Sequence, residues 1–161
     1  MEDLYDANQK FGCIPMEMAK TMSGADVYQK MLDGEVLPPP MYRVANIKLK
    51  EFGDGRAVIQ GRPLFDHYNP IGTVHGGWIG TIMDAALAAS IHTKLPVGTG
   101  FTTVEFKVNM VAPLTDKTGD VFCEGNVIHF GRRIATSEAR LVNADKKLLA
   151  HGVETCTILS V

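Results

Sequence analysis

The sequence predicts an α+β domain in which one long helix lies on a strongly curved antiparallel sheet. Hydrophobic residues alternate with a period of two both before and after a single helical segment, and short turns separate consecutive strands. The helical segment is apolar on all sides, which is typical of a buried helix. Short hairpins make antiparallel neighbours, so the helix must cover one face of the sheet.

Two parts are predicted along the chain. Residues 1–41 form a helical arm that ends in a proline-rich connector, and residues 42–161 form the main domain. Helical spacing runs through residues 14–22 and 25–32, and three consecutive prolines at residues 38–40 favour an extended connector. We expect the arm to pack on the main domain or on a partner subunit, as a lid or brace.

Six strands are predicted in the main domain, two before the long helix and four after it. The expected strands are residues 42–52, 56–61, 102–111, 121–130, 134–142 and 148–158. Strict alternation in the third strand would place Val104, Phe106, Val108 and Met110 on one face. Thr103 would then lie on the opposite face.

Composition and charge limit the possible functions. The 161 residues suit one domain, and the net charge of −2 argues against a broad nucleic-acid surface. The most apolar stretch, residues 76–91, contains an aspartate and falls short of the about 20 residues that span a bilayer. The three cysteines form no C-x-x-C pair, and the N-terminus lacks the layout of a secretory signal. We therefore expect a cytoplasmic protein with neither nucleic acid nor membrane as a partner.

The long helix begins with a run of glycines that its stability does not require. Gly76, Gly77 and Gly80 each cost roughly 0.5–1 kcal/mol relative to alanine inside a helix. Such a cost fits a close approach to the helix backbone. The approaching group is either a tightly wrapped sheet or a ligand on the N-terminal amides, where free N–H groups and the helix dipole favour negative charge.

Asp84 is the chemically informative residue of this helix. It is the only acidic or basic residue between His75 and His92, and it lies two turns after Gly77 on nearly the same face. Burial would raise the pKa of its carboxyl, which suits a general base or a nucleophile. The alternative is a structural carboxylate that caps a loop or pairs with an arginine.

Other kinds of catalytic site have weaker support in the sequence. His67 and His75 are eight residues apart in a segment broken by Pro70, which is not metal-ligand spacing, so we expect no metal. No G-x-S-x-G motif is present, and the cysteines have no evident activating partner. A histidine beside a glycine pair, such as His75, is commonly a cap or hinge contact.

The segment His67-Tyr-Asn-Pro-Ile-Gly-Thr-Val-His-Gly-Gly-Trp78, followed by Thr81-Ile-Met-Asp84, resembles the phenylacetate-degradation (PaaI-like) type of hot-dog-fold thioesterase. The resemblance extends from about residue 42 to the C-terminus. It implies a sheet wrapped around the central helix and a homodimer joined edge to edge, or a tetramer of two such dimers, with active sites at the dimer interface. It also implies an acyl-CoA substrate and no cofactor, since coenzyme A is part of the substrate.

The resemblance also implies roles for individual residues. The N–H of Gly76, with Gly77 as a second donor, would polarise the thioester carbonyl. Asn69 would orient the carbonyl or the attacking water. Asp84 of the opposite subunit would activate the water or attack directly, and Thr103 would help to hold that water.

Substrate binding is expected to involve His75, Arg132 and Arg133. The two arginines lie in a turn where such enzymes tend to bind coenzyme A phosphates, which match the donor geometry of a guanidinium group. The alternative for them is an exposed hairpin turn with solvated charges. The predicted function is hydrolysis of a short-chain, medium-chain or aromatic acyl-CoA. Two alternatives stay open: an acyl hydratase or dehydratase of the same fold, and a non-catalytic acyl-CoA-binding protein.

Overall fold

The computed structural model describes residues 3–161 as one α+β unit with four α-helices and six strands. The helices are α1 (Met16–Thr21), α2 (Gly24–Leu32), α3 (Pro40–Ala45) and α4 (Gly76–His92). The strands are β1 (Ile47–Gly53), β2 (Arg56–Gly61), β3 (Thr99–Met110), β4 (Val121–Phe130), β5 (Ile134–Asn143) and β6 (Leu148–Ser160). Two short 3-10 helices cover Phe65–His67 and Asp116–Thr118.

The six strands form one antiparallel sheet in the order β1-β2-β4-β5-β6-β3. Helix α4 follows β2 and leads across the sheet to β3 at the opposite edge. More than half of α4 is buried, including Ile82, Met83 and Leu87, which have no exposed surface. The sheet therefore encloses the helix, and the predicted α+β architecture is confirmed.

Glycines of the sheet allow this enclosure. A Cβ atom on Gly125 of β4 would lie 2.1 Å from the Ala86 carbonyl oxygen of α4, so only a glycine fits at this crossing. By contrast, the helix glycines Gly76 and Gly80 face the side chains of β3 and not its backbone. The close approach of the sheet to α4 is thus made by sheet glycines, and the glycines of the first helical turns meet side chains instead.

The N-terminal arm packs on the main domain. Helix α2 begins with a capping box between Ser23 and Asp26, which satisfies orphan N–H groups at the helix start. The Gly24 N–H donates to the Leu95 carbonyl oxygen over 3.0 Å. A Cβ on Gly24 would overlap the backbone of His92 at the end of α4. This contact fixes the arm against the C-terminal end of the central helix.

The predicted strand over residues 42–52 is wrong in its first part. Pro40 begins helix α3, because a proline at the first helical position has the required φ and no N–H that needs a partner. Asn46 ends this helix in the left-handed conformation, with φ at 49°. Its side chain donates to the Arg62 carbonyl oxygen over 2.9 Å, and β1 starts only at the next residue.

A β-bulge changes the predicted faces of β3. Thr103 pairs with Cys156 and Glu105 pairs with Thr155, so Val104 is the extra residue. Val104 points outward and is 62% exposed. The bulge brings Thr103 to the same side as Phe106, and the sequence prediction that the two residues lie on opposite faces is wrong. Strict alternation cannot reveal such a shift of one residue.

We predict that Gly125→Ala destabilises the fold by at least about 2 kcal/mol, because its methyl group would overlap the carbonyl of Ala86. Gly53→Ala is the matched control: it is also a strand glycine, and its added methyl group would meet no atom within 4 Å. Urea unfolding of both variants measures the difference. Equal stability of the two variants would contradict this account of how the sheet closes on α4.

Candidate active site

A cavity of about 610 Å³ lies between the N-terminal half of α4 and the middle of β3. It brings together four of the residues implied by the resemblance, namely Gly76, Gly77, Asp84 and Thr103. The remaining lining residues are Met41, Gly80, Thr81, Phe106, Val108 and Met110. The walls are therefore largely apolar, and the polar groups are concentrated on the helix and at Thr103.

The start of α4 leaves one amide free. His75 is the N-cap residue, and its Nδ1 accepts a hydrogen bond from the Gly77 N–H over 2.8 Å. The His75 carbonyl oxygen accepts from the Trp78 N–H over 3.0 Å. Within residues 3–161, no acceptor is in hydrogen-bonding reach of the Gly76 N–H. The structure thus presents Gly76 as a free donor at the positive end of the helix dipole.

The loop before α4 is held firmly, which fixes the position of this donor. The His75 N–H donates to the His67 carbonyl oxygen over 2.8 Å. The indole N–H of Trp78 donates to the Ala45 carbonyl oxygen over 2.6 Å, and the His67 ring stacks on the Trp78 ring. These contacts tie the helix start to the loop on one side and to α3 on the other.

Asp84 lies two turns further along α4, half-buried in the cavity wall. Within the described part of the chain, its carboxylate has no hydrogen-bond donor and no cation as a partner. Burial raises the pKa of this carboxyl above its ordinary value. The structure therefore does not place Asp84 as a loop cap or in an arginine pair, and it leaves the carboxylate oxygens facing the cavity.

A second carboxylate, Glu154 of β6, lies behind this site and was not identified from the sequence. The Thr103 hydroxyl donates to Glu154 Oε1 over 2.8 Å, and the Cys156 thiol donates to the same oxygen over 2.8 Å. Burial, reinforced by the negative charge of Asp84, raises the pKa of Glu154. Strand alternation could have found it, because Glu154 shares its face with the buried Gly152 and Cys156.

Asn69 is near the helix start but in an adjoining hollow of about 350 Å³. Its Nδ2 donates to the Thr73 hydroxyl over 2.8 Å, and its Oδ1 accepts from the backbone N–H groups of Ile71 and Thr73. The side chain thus closes the loop, and its second amide hydrogen has no acceptor among residues 3–161. This hollow and the Asp84 cavity share Gly76 and Met110 as lining residues.

The structure does not bring Arg132 and Arg133 into the Asp84 cavity. Both residues are exposed in the turn between β4 and β5. The Arg133 carbonyl oxygen accepts from the Ile158 N–H of β6 over 2.9 Å, which holds the turn against the sheet. Neither guanidinium group pairs with a carboxylate of residues 3–161.

The described residues contain neither a metal-binding cluster nor a membrane-spanning helix. Nowhere between Asp3 and Val161 do three or more His, Cys, Asp or Glu side chains cluster closely enough to hold a metal ion. In the same range, no helix has the length and hydrophobicity needed to cross a membrane.

The sequence matches a known family model, the thioesterase superfamily, over residues 71–150. This range begins just before α4 and ends in β6, so it includes Gly76, Asp84 and Thr103. No curated protein matches the sequence significantly.

Solved structures share the architecture. A conserved protein from Pseudomonas aeruginosa is 28% identical over 74% of this chain and 94% of its own, with a TM-score of 0.70. The phenylacetic acid degradation protein PaaI from Thermus thermophilus, solved as a mutant, is 26% identical over 73% of this chain and 97% of its own, with a TM-score of 0.66. The PaaI protein from the phenylacetic acid degradation operon of E. coli is 16% identical over 85% and 94%, with a TM-score of 0.73. The expected hot-dog fold is confirmed.

We predict that Asp84→Asn stabilises the protein at neutral pH. Because burial raises the pKa of Asp84, the native state binds the proton more tightly than the unfolded chain, and the wild type loses stability as the pH rises through the native pKa. The asparagine variant has no such loss. Its advantage should vanish below the ordinary aspartate value of 3.8, where the carboxyl is protonated in both states.

Thermal melts of the two proteins from pH 3 to pH 8 measure this difference. Asp66→Asn serves as the control, because Asp66 is exposed and its replacement should change the melting temperature little. An Asp84→Asn variant that is less stable than the wild type at pH 7 would show that the carboxylate has a stabilising partner.

Proposed function

We propose, since residues 71–150 match the thioesterase superfamily model, that this chain hydrolyses acyl-CoA thioesters to the free acid and coenzyme A. One observation carries the proposal: each subunit presents an unpaired, half-buried carboxylate and a free helix N-terminal amide to an apolar cavity. Thioester hydrolysis needs both groups. A base must take a proton from water, and a donor must stabilise the oxygen that becomes negative.

In the proposed reaction, Asp84 accepts a proton as a water oxygen attacks the thioester carbon. The carbonyl oxygen becomes an oxyanion, which accepts a hydrogen bond from the Gly76 N–H at the helix N-terminus. The tetrahedral intermediate collapses as the C–S bond breaks, and the proton held by Asp84 passes to the departing thiolate. Because burial raises the pKa of Asp84, its carboxyl more readily holds the proton between the attack of water and the departure of the thiolate.

The two groups of one helix cannot serve the same carbonyl. Asp84 lies eight residues after Gly76, which is about 12 Å along the helix axis. The N–H groups at a helix N-terminus point away from the rest of the helix, so an oxygen bound there lies about 3 Å farther still. Attack requires the water and the carbonyl carbon to be about 3–3.5 Å apart. We therefore propose a homodimer in which Asp84 acts on a carbonyl bound at Gly76 of the partner subunit.

The exposed edge of the sheet supports this arrangement. Among the described strands β3 pairs with β6 alone, and its Val104, Phe106 and Met110 are among the exposed large hydrophobic residues. An unpaired apolar edge favours pairing with another chain. Association through two β3 strands would cover this surface and bring the two Asp84 cavities together at the interface.

Supporting roles are proposed for the remaining residues. Thr103 would bind the attacking water, and the unused amide hydrogen of Asn69 would reach the substrate near Gly76. Gly77 would act as a second donor only where its N–H leaves His75, which would itself then contact the substrate. Arg132 and Arg133, with no carboxylate partner in residues 3–161, would bind the phosphates of coenzyme A.

The acyl group would occupy the apolar part of the cavity. Phe106, Val108 and Met110 line it from β3, and Met41 lines it from α3. These side chains suit a short-chain, medium-chain or aromatic acyl group. Hydration of an enoyl-CoA is less well supported, because the Nδ1 of His75 already accepts from Gly77 and its side chain pairs with no carboxylate of the described residues.

We predict that Asp84→Asn lowers thioesterase kcat at least about a hundredfold, because the variant has no carboxylate to accept the proton of water. Thiol release from a panel of acyl-CoAs measures it, with a thermal melt to show that the variant folds. Full activity in a folded variant would exclude Asp84 as the base. Wild type that binds but cleaves no acyl-CoA would favour the non-catalytic alternative, and turnover of an enoyl-CoA would favour the hydratase.

A mixing experiment tests the shared site. Gly76→Pro removes the proposed oxyanion donor while keeping a residue that suits the first helical position. Neither Asp84→Asn nor Gly76→Pro homodimers should be active. Co-expression should produce heterodimers with one intact site, and the mixture should regain about a quarter of wild-type activity if subunits assort at random.

Gly76→Ala is the control for this experiment, since it keeps the N–H and meets only the flexible end of Met110. It should remain active by itself. A mixture of Asp84→Asn and Gly76→Pro that stays inactive, although heterodimers are isolated, would place both groups of each site in one subunit.

A further inference from the structure

Glu154 has no role in the reaction proposed above. Its side chain is 1% exposed, on the face of β6 that packs against α4. Oε1 accepts two hydrogen bonds, from Thr103 and from Cys156, whereas Oε2 is buried and has no partner in the described residues. A buried carboxylate oxygen without a donor is costly, and a methionine or leucine would fill the same space without that cost.

The hydrogen bond between Thr103 and Glu154 has a defined direction. A threonine hydroxyl has one proton and two acceptor lone pairs, and Glu154 Oε1 takes the proton. The Cys156 thiol has one proton and lies 2.8 Å from Glu154 Oε1 but 3.9 Å from Thr103 Oγ1, so Glu154 takes it and the lone pairs of Thr103 are left for the cavity that this residue lines. An ionised Glu154 carboxylate can only accept hydrogen bonds, so the Thr103 hydroxyl must be the donor when Glu154 is charged.

This direction determines how a water molecule binds beside Thr103. Such a water must donate one proton to the Thr103 hydroxyl oxygen. Its second proton can be donated to Asp84, which lines the same cavity. Both protons of the water are then directed into the protein, and a lone pair is left for the carbonyl carbon. A Thr103 hydroxyl free to rotate could instead donate to the water and occupy the lone pair needed for attack.

We infer that Glu154 is a positioning residue of the thioesterase site, which acts through Thr103 to orient the attacking water. The inference rests on the proposed thioester hydrolysis. Glu154 takes no part in proton transfer and does not contact the substrate. It holds the Thr103 proton away from the cavity, so that the hydroxyl always accepts from the water that Asp84 activates.

A double-mutant cycle between Glu154 and Thr103 tests this inference, with an acyl-CoA that the wild type hydrolyses. Glu154→Met removes the acceptor, and Thr103→Val removes the hydroxyl. Each should lower kcat about ten- to a hundredfold with KM nearly unchanged, because orientation of the water is lost while substrate contacts remain. In the Thr103→Val background, Glu154→Met should cause almost no further loss, because it acts only through that hydroxyl.

Ser137→Ala is the matched control. Ser137 is a buried polar residue on the neighbouring strand β5, and its hydroxyl donates to the Leu87 carbonyl oxygen of α4 and not to the site. Its removal should leave kcat within about twofold, since the binding and orientation of the water are untouched. Glu154→Leu is a second apolar variant for the cycle should the methionine variant fail to fold, and thermal melts identify the folded proteins.

The outcomes are distinct. Equal losses from Glu154→Met in the wild-type and Thr103→Val backgrounds would overturn the inference, because Glu154 would then act elsewhere. An unchanged kcat in Glu154→Met would also overturn it, although the enzyme would still be a thioesterase. Wild type without turnover of any acyl-CoA would overturn the proposed function, and the positioning role with it.

Discussion

The structure depends on the burial of one long apolar helix inside a curved sheet. Helix α4 has no wide polar face, so it is stable only where the sheet covers most of its surface. Covering it requires strands to cross its backbone closely, which Gly125 of β4 makes possible beside Ala86. The cavity lined by Asp84 lies between this enclosed helix and the edge strand β3.

Enclosure gives the two polar features of α4 their chemical character. The helix N-terminus is held by His75 and by the indole of Trp78, and it opens into a largely apolar cavity, where the Gly76 N–H has no acceptor from the described part of the chain. Asp84 is the only charged residue of the helix, and burial raises its pKa. In water the Gly76 N–H would polarise a carbonyl only weakly, and the Asp84 carboxylate would be a weak base. In a cavity of low dielectric, a fixed donor and a desolvated base act more strongly on a carbonyl and on water.

The sequence predicted the fold well where a local pattern determines structure. Binary alternation located the five strands after the first hairpin turn, and the apolar segment with Asp84 located the central helix. It was wrong at residues 42–46, where Pro40 and the left-handed Asn46 favour a short helix over a strand. For the site, Gly76, Asp84 and Thr103 could be chosen by resemblance. The hydrogen bonds of Asn69 within its loop, and the distance of Arg133 from the cavity, depend on tertiary contacts that no local pattern contains.

The bulge at Val104 determines which face of β3 carries Thr103. Regular alternation would direct Thr103 away from Phe106 and out of the cavity, and the inserted residue restores it to the inner face of β3. There Thr103 meets Glu154, which strand β6 directs inward together with Gly152 and Cys156. A bulge interrupts the regular hydrogen bonding between two strands, and a buried carboxylate loses its hydration; both are unfavourable for stability. These two unfavourable features converge on one hydroxyl beside Asp84, as expected if the proposed site needs that hydroxyl in a fixed orientation.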